Sequence, residues 1–586
     1  MLDPRIYRMG LVPVVLAVIV VAFSLTNQPG PLTTTLAPAA FSGSNAYANL
    51  TTLARQFPRR PAGSLGDRQL AAYVAGQLGY EGFNVSTNAF RGMTPNGSQR
   101  LENVVGIRAG QENGSIVVVA GRDAVGSPAR AQLSGTAVLL ELARVLSGET
   151  LQHTVVVAST SGTAGGAGAI ELARTLPQPI DAVVVLGDMA GSNVRQPIVV
   201  PWSGGQKVAP PLLRNTLAAA LQGQAGLGVG GTNMLGQLAH LAVPMAPSAQ
   251  APFISSGQPA VLVSLSGEQT PAADEPVSLG QISAMGRSVL QAINALDGGR
   301  AVPPPSSYIS LSGKSIPAWA VRLLGLALIV PVLLASIDGA ARAGRRGHGV
   351  LRWAAWVLAA GIPFAAAALL VRAAHAVGAI TGATPIPLDG GMIHLHGGEF
   401  ALLATLACLI VAGVLWLRPL VASGLGLRWR GAERDGPAAG VLLVLCAVAL
   451  ALWLTNPFAA LLVIPALHLW LWVVVPDARL RTPVVVVLVL AGLALPLLVA
   501  AQYALTLGMD PLQAAWSWVL LLGAGGYGLV SAIEWSLFLG CAVSVIPIAL
   551  SARREPRAQP VPVTVRGPIT YAGPGSLGGT KSALRR

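Results

Sequence analysis

The sequence predicts two architectures in one chain: an α/β domain on a mostly parallel sheet, followed by an all-α bundle that crosses a membrane. Three observations predict it. The chain has 586 residues, 53% hydrophobic and 11% charged, which is too apolar for an ordinary soluble protein and long enough for more than one domain. Long, nearly uncharged windows gather in the C-terminal half, and one stands near the N-terminus. Between them, short Val-rich runs alternate with amphipathic stretches, the pattern of strands covered on both faces by crossover helices.

In chain order, residues 1–26 read as a cytoplasmic tip and an anchor. The window 11–25 follows Arg5 and Arg8, and the segment Thr26-Asn27-Gln28-Pro29 is a poor cleavage site, which favours an uncleaved anchor over a signal peptide. Residues 27–315 read as the α/β domain. Its strands are expected at 115–120, 154–158, 182–186 and 259–265, and its helices at 67–78, 135–146 and 279–296. In such a sheet the functional groups belong at the carboxyl ends of the strands.

Residues 316–551 read as seven further spans, at 316–337, 353–375, 400–417, 441–454, 458–475, 484–504 and 535–550, for about eight transmembrane helices in all. The window 516–530 is apolar too, but Gly523, Gly525, Gly526 and Gly528 suit a re-entrant or tightly packed segment. Residues 552–586 read as a basic, disordered tail.

The arginines set the expected orientation. Arg342, Arg345, Arg346 and Arg352, then Arg428, Arg430 and Arg434, then Arg479 and Arg481, then Arg553, Arg554 and Arg557 alternate with loops nearly free of Lys and Arg. Under the positive-inside rule both termini are cytoplasmic and 27–315 is extracytoplasmic, in a multi-pass plasma-membrane protein. The net charge of +14 is then accounted for by loops and tail facing the lipid bilayer, and calls for no nucleic-acid partner. Cys408, Cys446 and Cys541 all fall inside spans, so the exported domain has no disulfide. An Arg-, Ala-, Gly- and Leu-rich composition suggests a GC-rich bacterial genome and a place in the cell envelope.

The strand ends carry a specific resemblance. Residues Phe57-Pro58-Arg59-Arg60-Pro61-Ala62-Gly63-Ser64, a helix ending at Gly82-Phe83-Asn84-Val85, and Asn103-Val104-Val105-Gly106 resemble the opening of the co-catalytic di-zinc aminopeptidase family, peptidase family M-28. The resemblance implies that family's sandwich fold. It also implies a ligand set, of which this chain lacks most. The family's Ala-His-x-Asp reads Ala120-Gly121-Arg122-Asp123, so the ligand histidine is Gly121. Its Asp-Asn-x-Ser-Gly reads Ala131-Gln132-Leu133-Ser134-Gly135, so the bridging carboxylate is Ala131. Its Glu-Glu pair, general base and ligand, falls on Gly162 and Thr163. Asp188, in Asp188-Met189, keeps a ligand identity, the His-Thr-Pro appears as Gln269-Thr270-Pro271, and the upstream Ser-Asp-His aligns with Ser248-Ala249-Gln250.

Two zinc ions a few ångströms apart need a shared carboxylate and further nitrogen or oxygen ligands, and peptide hydrolysis needs a base for the metal-bound water. Gly121, Ala131, Gly162, Thr163 and Gln269 supply none of these, so no cofactor is expected and no catalytic residue is assigned. Arg122, Asp123 and Asp188 remain as binding residues, able to hold a cation or an amine, or else as turn caps and an ion pair. His153 and His240 read as packing or surface histidines. A second cluster, His375, Asp389, His394, His396 and Glu399, lies around the loop before the fourth span, where His-x-His is a candidate zinc or copper motif or a solvated loop.

Three functions follow. The first is a pseudoenzyme, a membrane-anchored peptidase-like module that binds a peptide or another membrane protein, with a topology similar to that of the peptidase-like subunit of GPI transamidase. The second is an active metallo-aminopeptidase using zinc through a divergent site. The third is a transporter or lipid-handling protein with the domain as a lid. The first is the expectation.

Overall fold

The computed structural model describes residues 4–35, 38–245, 248–380, 390–391, 393, 395–426, 435–474 and 481–551. Its strands in chain order are β1 (Thr26–Asn27), β2 (Asn84–Thr94), β3 (Gly97–Arg108), β4 (Ser115–Gly121), β5 (Thr154–Thr160), β6 (Ile180–Leu186), β7 (Val199–Val200), β8 (Ala260–Val263), β9 (Tyr308–Leu311) and β10 (Lys314–Pro317). Seven form one sheet in the order β2-β3-β5-β4-β6-β8-β7. Strands β1, β10 and β9 form a small antiparallel sheet that leads into the first bundle helix.

The sheet is mixed, which corrects the expectation of a mostly parallel one. The centre, β5-β4-β6-β8, is parallel, as its continuous Val-rich runs predict. The flanks are antiparallel: β2 pairs β3, β3 pairs β5, and β7 pairs β8. The β2–β3 hairpin carries no long apolar run, because β2 is largely exposed, so hydrophobic pattern alone passes over it. Its signal is the two-residue connection Pro95-Asn96 followed by Gly97 at φ +93°.

The parallel core is dry. From Ile116 to Ala120, from Val155 to Ala158 and from Ala182 to Val184, the strand side chains are buried to within about 1%. Helices Leu65–Tyr80, Arg130–Ser147 and Leu279–Asp297 cover this sheet. The first is capped by the Ser64 hydroxyl, which accepts from the Asp67 N–H at 3.2 Å.

Among the described residues, seven helices are long and apolar enough to cross a membrane: Arg5–Phe23, Ala318–Arg345, Val350–Ala376, Gly397–Gly424, Asp435–Thr455, Pro457–Val474 and Leu529–Ala549. The window expected at 484–504 is instead a pair, Thr482–Gly492 and Ala494–Thr506, bent by 55°. Pro496, in the first turn of the second helix, cannot donate a backbone hydrogen bond across the break, and Gly492 gives way to the Trp470 ring. The apolar window at 516–530 holds helix Pro511–Gly523, whose 13 residues reach about 20 Å at the usual rise, short of a full crossing. His468 ties the N-terminal helix into the bundle: Tyr7 Oη lies 2.8 Å from its Nδ1, and its Nε2 lies 2.9 Å from the Leu328 carbonyl.

One buried ion pair organises the loops above the sheet. Arg122 Nε lies 2.8 Å from Asp67 Oδ1, with both side chains essentially out of water. The guanidinium also donates to the carbonyls of Ser159 (2.9 Å) and Glu102 (2.5 Å). Asp67 Oδ2 accepts from the Ser161 hydroxyl at 2.5 Å and the Gly63 N–H at 2.9 Å. Removing one partner strands the other charge in the interior. Arg122→Met is expected to destabilise the α/β domain by about 3–5 kcal/mol, read in the full-length protein as a lower denaturant midpoint for protease resistance of that domain.

Candidate functional site

The carboxyl ends of β4, β5, β6 and β8 converge on one recess. Strand β4 ends at Gly121 and hands the chain to Arg122 and Asp123. The arginine turns away from the recess to meet Asp67, so it does not pair with its neighbour Asp123. Asp123 turns toward β5. Its Oδ1 accepts from the Thr163 hydroxyl at 2.6 Å and the Thr163 N–H at 3.0 Å, and its Oδ2 is 3.1 Å from the same N–H.

This pairing decides what position 121 can hold. A Cβ placed on Gly121 runs directly into the Thr163 hydroxyl. The space a longer side chain would need is therefore filled by Thr163, which also occupies the Asp123 carboxylate. Gly162, at φ +77°, shapes this turn, and a Cβ there would lie 2.7 Å from Leu101. Burial raises the Asp123 pKa, the nearby Asp67 carboxylate raises it further, and the Thr163 hydrogen bonds offset part of the shift.

The other predicted positions are equally committed. Ala131 is buried in the first turn of helix Arg130–Ser147, which begins earlier than the apolar pattern at 135 suggests. Asp188 is nearly fully buried and caps its own loop: Oδ1 accepts from Ala190 N–H at 3.1 Å and Gly191 N–H at 2.7 Å, and Oδ2 accepts from the Ser266 hydroxyl at 2.6 Å. Burial raises its pKa, against the pull of those bonds. Gln269 points to the bundle, where its amide donates to the Thr506 carbonyl at 2.5 Å and its oxygen accepts from Arg195. The remaining recess measures about 90 Å³. The residues present do not fit a pair of zinc ions: Asp123 and Asp188 are spent on Thr163, on loop N–H groups and on Ser266, and the Glu268 carboxylate faces the His240 ring.

Sequence reasoning treated His240 as a packing group and passed over Glu268. The structure brings them together. His240 is buried and stacks on Trp202 at 4.9 Å between ring centroids; its Nε2 lies 3.2 Å from Glu268 Oε1 and its Nδ1 3.3 Å from Tyr503 Oη. Glu268 precedes Gln269 in the loop after β8, and an acidic residue inside that buried loop is the signal that could have found it. His153 sits at the opposite edge of the sheet, where its Nδ1 is 3.0 Å from the Asp297 carbonyl.

Above the recess a larger cavity of about 650 Å³ separates the strand-end loops from the bundle. Asp123, Gly162, Asn96 and Gln99 face it from the domain, and His396, Glu399 and Trp516 face it from the helices. Of the second cluster, His396 opens helix Gly397–Ala412, and Glu399 accepts its N–H at 2.9 Å as a cap. His375 packs against Gly523. His394 and Asp389 lie outside the described residues. Among the described residues no group of three His, Cys, Asp or Glu side chains is placed to hold a metal ion.

Solved structures with a similar fold to part of this chain include a glutaminyl cyclase from Porphyromonas gingivalis (16% identity, 44% of this chain, 98% of that chain, TM-score 0.34). A zinc aminopeptidase from Bacillus subtilis is similar at 13% identity over 45% of this chain and 99% of its own, with TM-score 0.35. A leucine aminopeptidase precursor from Bacteroides thetaiotaomicron is similar at 13% identity over 45% and 99%, with TM-score 0.34. The chain matches no family model, and no curated protein matches it. The functional reading rests on this chain's own residues.

The raised Asp123 carboxyl sets a pH dependence. A folded-state pKa above the unfolded value of about 3.9 favours folding at low pH and withdraws that stability as pH rises through the folded pKa. Asp123→Asn removes this loss. The stability of the variant relative to wild type is expected to rise from pH 4 toward neutrality and then level off, measured as denaturation midpoints across that range.

Proposed function

We propose that this chain is a multi-pass membrane protein whose peptidase-like domain binds its ligand without hydrolysing it. The observation that carries this reading is the Thr163–Asp123 unit, which fills the space beside Gly121 and takes up the Asp123 carboxylate at the mouth of the recess. Metal-assisted hydrolysis needs open coordination positions and a free base. Here Gly121, Ala131, Gly162 and Gln269 offer no ligand of that strength, and Asp188 spends its oxygens on its own loop.

In this reading the chain crosses the bilayer about eight times if the bent pair counts as one span. Both termini are cytoplasmic, the domain is extracytoplasmic, and the arginine-rich loops lie on the cytoplasmic side. The cavity of about 650 Å³ beneath the domain, with polar and apolar groups on both of its faces, is the place for the ligand. A peptide segment of a partner membrane protein suits it in size and in mixed polarity. Asn96 and Gln99 from the domain and exposed His396 from the helices supply its polar anchors.

The test is metal content and turnover on the full-length protein, purified without chelator and dialysed against zinc. No retained ion and no release of N-terminal residues from a panel of peptides is the expected result. One or two retained zinc ions together with turnover would overturn the reading and return aminopeptidase chemistry to this domain.

A further inference from the structure

Within the bundle, well below the strand ends, lies a second cavity of about 920 Å³, near the upper end of the roughly 300–1,000 Å³ of ligand-binding cavities. Its walls come from helices Val350–Ala376, Gly397–Ala412, Pro457–Val474, Pro511–Gly523 and Leu529–Ser551 and from the bend at Leu493. The lining is almost wholly aliphatic and aromatic. Ser536 is its one hydroxyl besides Tyr527, and the Ser536 hydroxyl already donates to the Ala532 carbonyl at 2.6 Å.

We propose that this chamber holds the acyl chains of a glycerophospholipid. Water has no partners on such a wall, and a dry apolar cavity takes up apolar ligands. The bilayer supplies the only abundant apolar occupant. Access is lateral: helix Gly397–Gly424 forms one wall, and nearly all residues of its most apolar window are exposed rather than buried in the bundle, so on that side a single helix separates the chamber from the hydrocarbon.

The position of the headgroup follows from two helices that wall both cavities. Helix Gly397–Ala412 turns Glu399 and Leu402 to the upper cavity and Phe400 and Leu403 to the chamber. Helix Pro511–Gly523 likewise turns Trp516 and Leu520 upward while Trp518 and Val519 line the chamber. A lipid with its chains in the chamber therefore has its polar end directed toward the His396 side. The inference rests on the membrane placement of the helices and not on the state of the strand-end recess.

The experiment uses the full-length protein in vesicles of phosphatidylethanolamine and phosphatidylglycerol carrying a trace of phosphatidylethanolamine with a diazirine at the end of one acyl chain. Photolabelled peptides are mapped and labelling is competed with unlabelled lipid. Ala404 and Ala515 line the chamber with room beside them, so Ala404→Trp and Ala515→Trp fill it, while Val487→Trp places the same ring on an outer helix surface. Saturable labelling of the 400–410 and 511–522 segments is expected. In the filled variants it should fall about tenfold or more, since each displaced methylene is worth roughly fourfold in affinity, while Val487→Trp is unchanged. Protease resistance of the exported domain reports that each variant is folded. Non-saturable labelling spread over outer surfaces, equal in all folded variants, would overturn the proposal. Competition by oleic acid but not by phospholipid would overturn the choice of a glycerophospholipid.

Discussion

A guanidinium withdrawn from water must find nearly all its hydrogen bonds in the protein, and the loops at the carboxyl edge of this sheet are arranged around two such groups. Arg122 binds Asp67 and two strand carbonyls. Arg60 donates to the carbonyls of Arg122 (3.1 Å), Phe57 (3.2 Å), Pro128 (2.9 Å) and Ala129 (2.6 Å), and burial lowers its pKa to about 10. Together they pin the segment 57–67, the turn after β4 and the approach to helix Arg130–Ser147. With the loops fixed in this way, Asp123 has one direction left, toward Thr163. The hydrogen bonds that hold the loops thus bring Thr163 into the space beside Gly121.

The contact between domain and bundle uses the loop after β8 a second time. Gln269 bonds to the end of helix Ala494–Thr506, and the preceding Glu268 lies against His240, which meets Tyr503 of the same helix. Asn456, between two spans, donates to the Leu241 carbonyl at 2.9 Å and also accepts from Phe458 and Ala459 N–H. Gln269 thus holds the domain to the membrane helices. Movement of that helix relative to the domain would have to break the Gln269 bond and repack Tyr503 together, so the recess and the bundle are mechanically one.

Much of this was legible in the sequence, and the failures have physical causes. The central strands and the spans announce themselves because burial on both faces, or in lipid, demands unbroken apolar runs. The β2–β3 hairpin is missed because an exposed strand has no such demand. The bend at Leu493 is hidden because Pro496 and Gly492 sit within a window that is apolar throughout. At the site, the identities at 121, 131, 162, 163 and 269 could be read directly. What could not be read is that Thr163 reaches Asp123 and fills the space beside Gly121, since that is a contact between two strand ends 40 residues apart. Arg122 next to Asp123 invites a local ion pair, and only the fold shows that its partner is Asp67.

The fold of this domain does not require a metal ion at the recess, for a reason of scale. In a small metal-dependent domain the binding free energy of zinc is the folding free energy, so replacing the ligands unfolds it. Here the sheet buries its central strands completely without any contribution from the recess, and a domain of about 290 residues removes most of its apolar surface from water. The cost of small residues such as Gly121 and Ala131 at the recess is then local: a cavity and unpaired polar atoms. Thr163 and the loop N–H groups at residues 190 and 191 remove much of that cost by satisfying Asp123 and Asp188. The stability of the domain is carried by its sheet, its buried arginines and its attachment to the bundle.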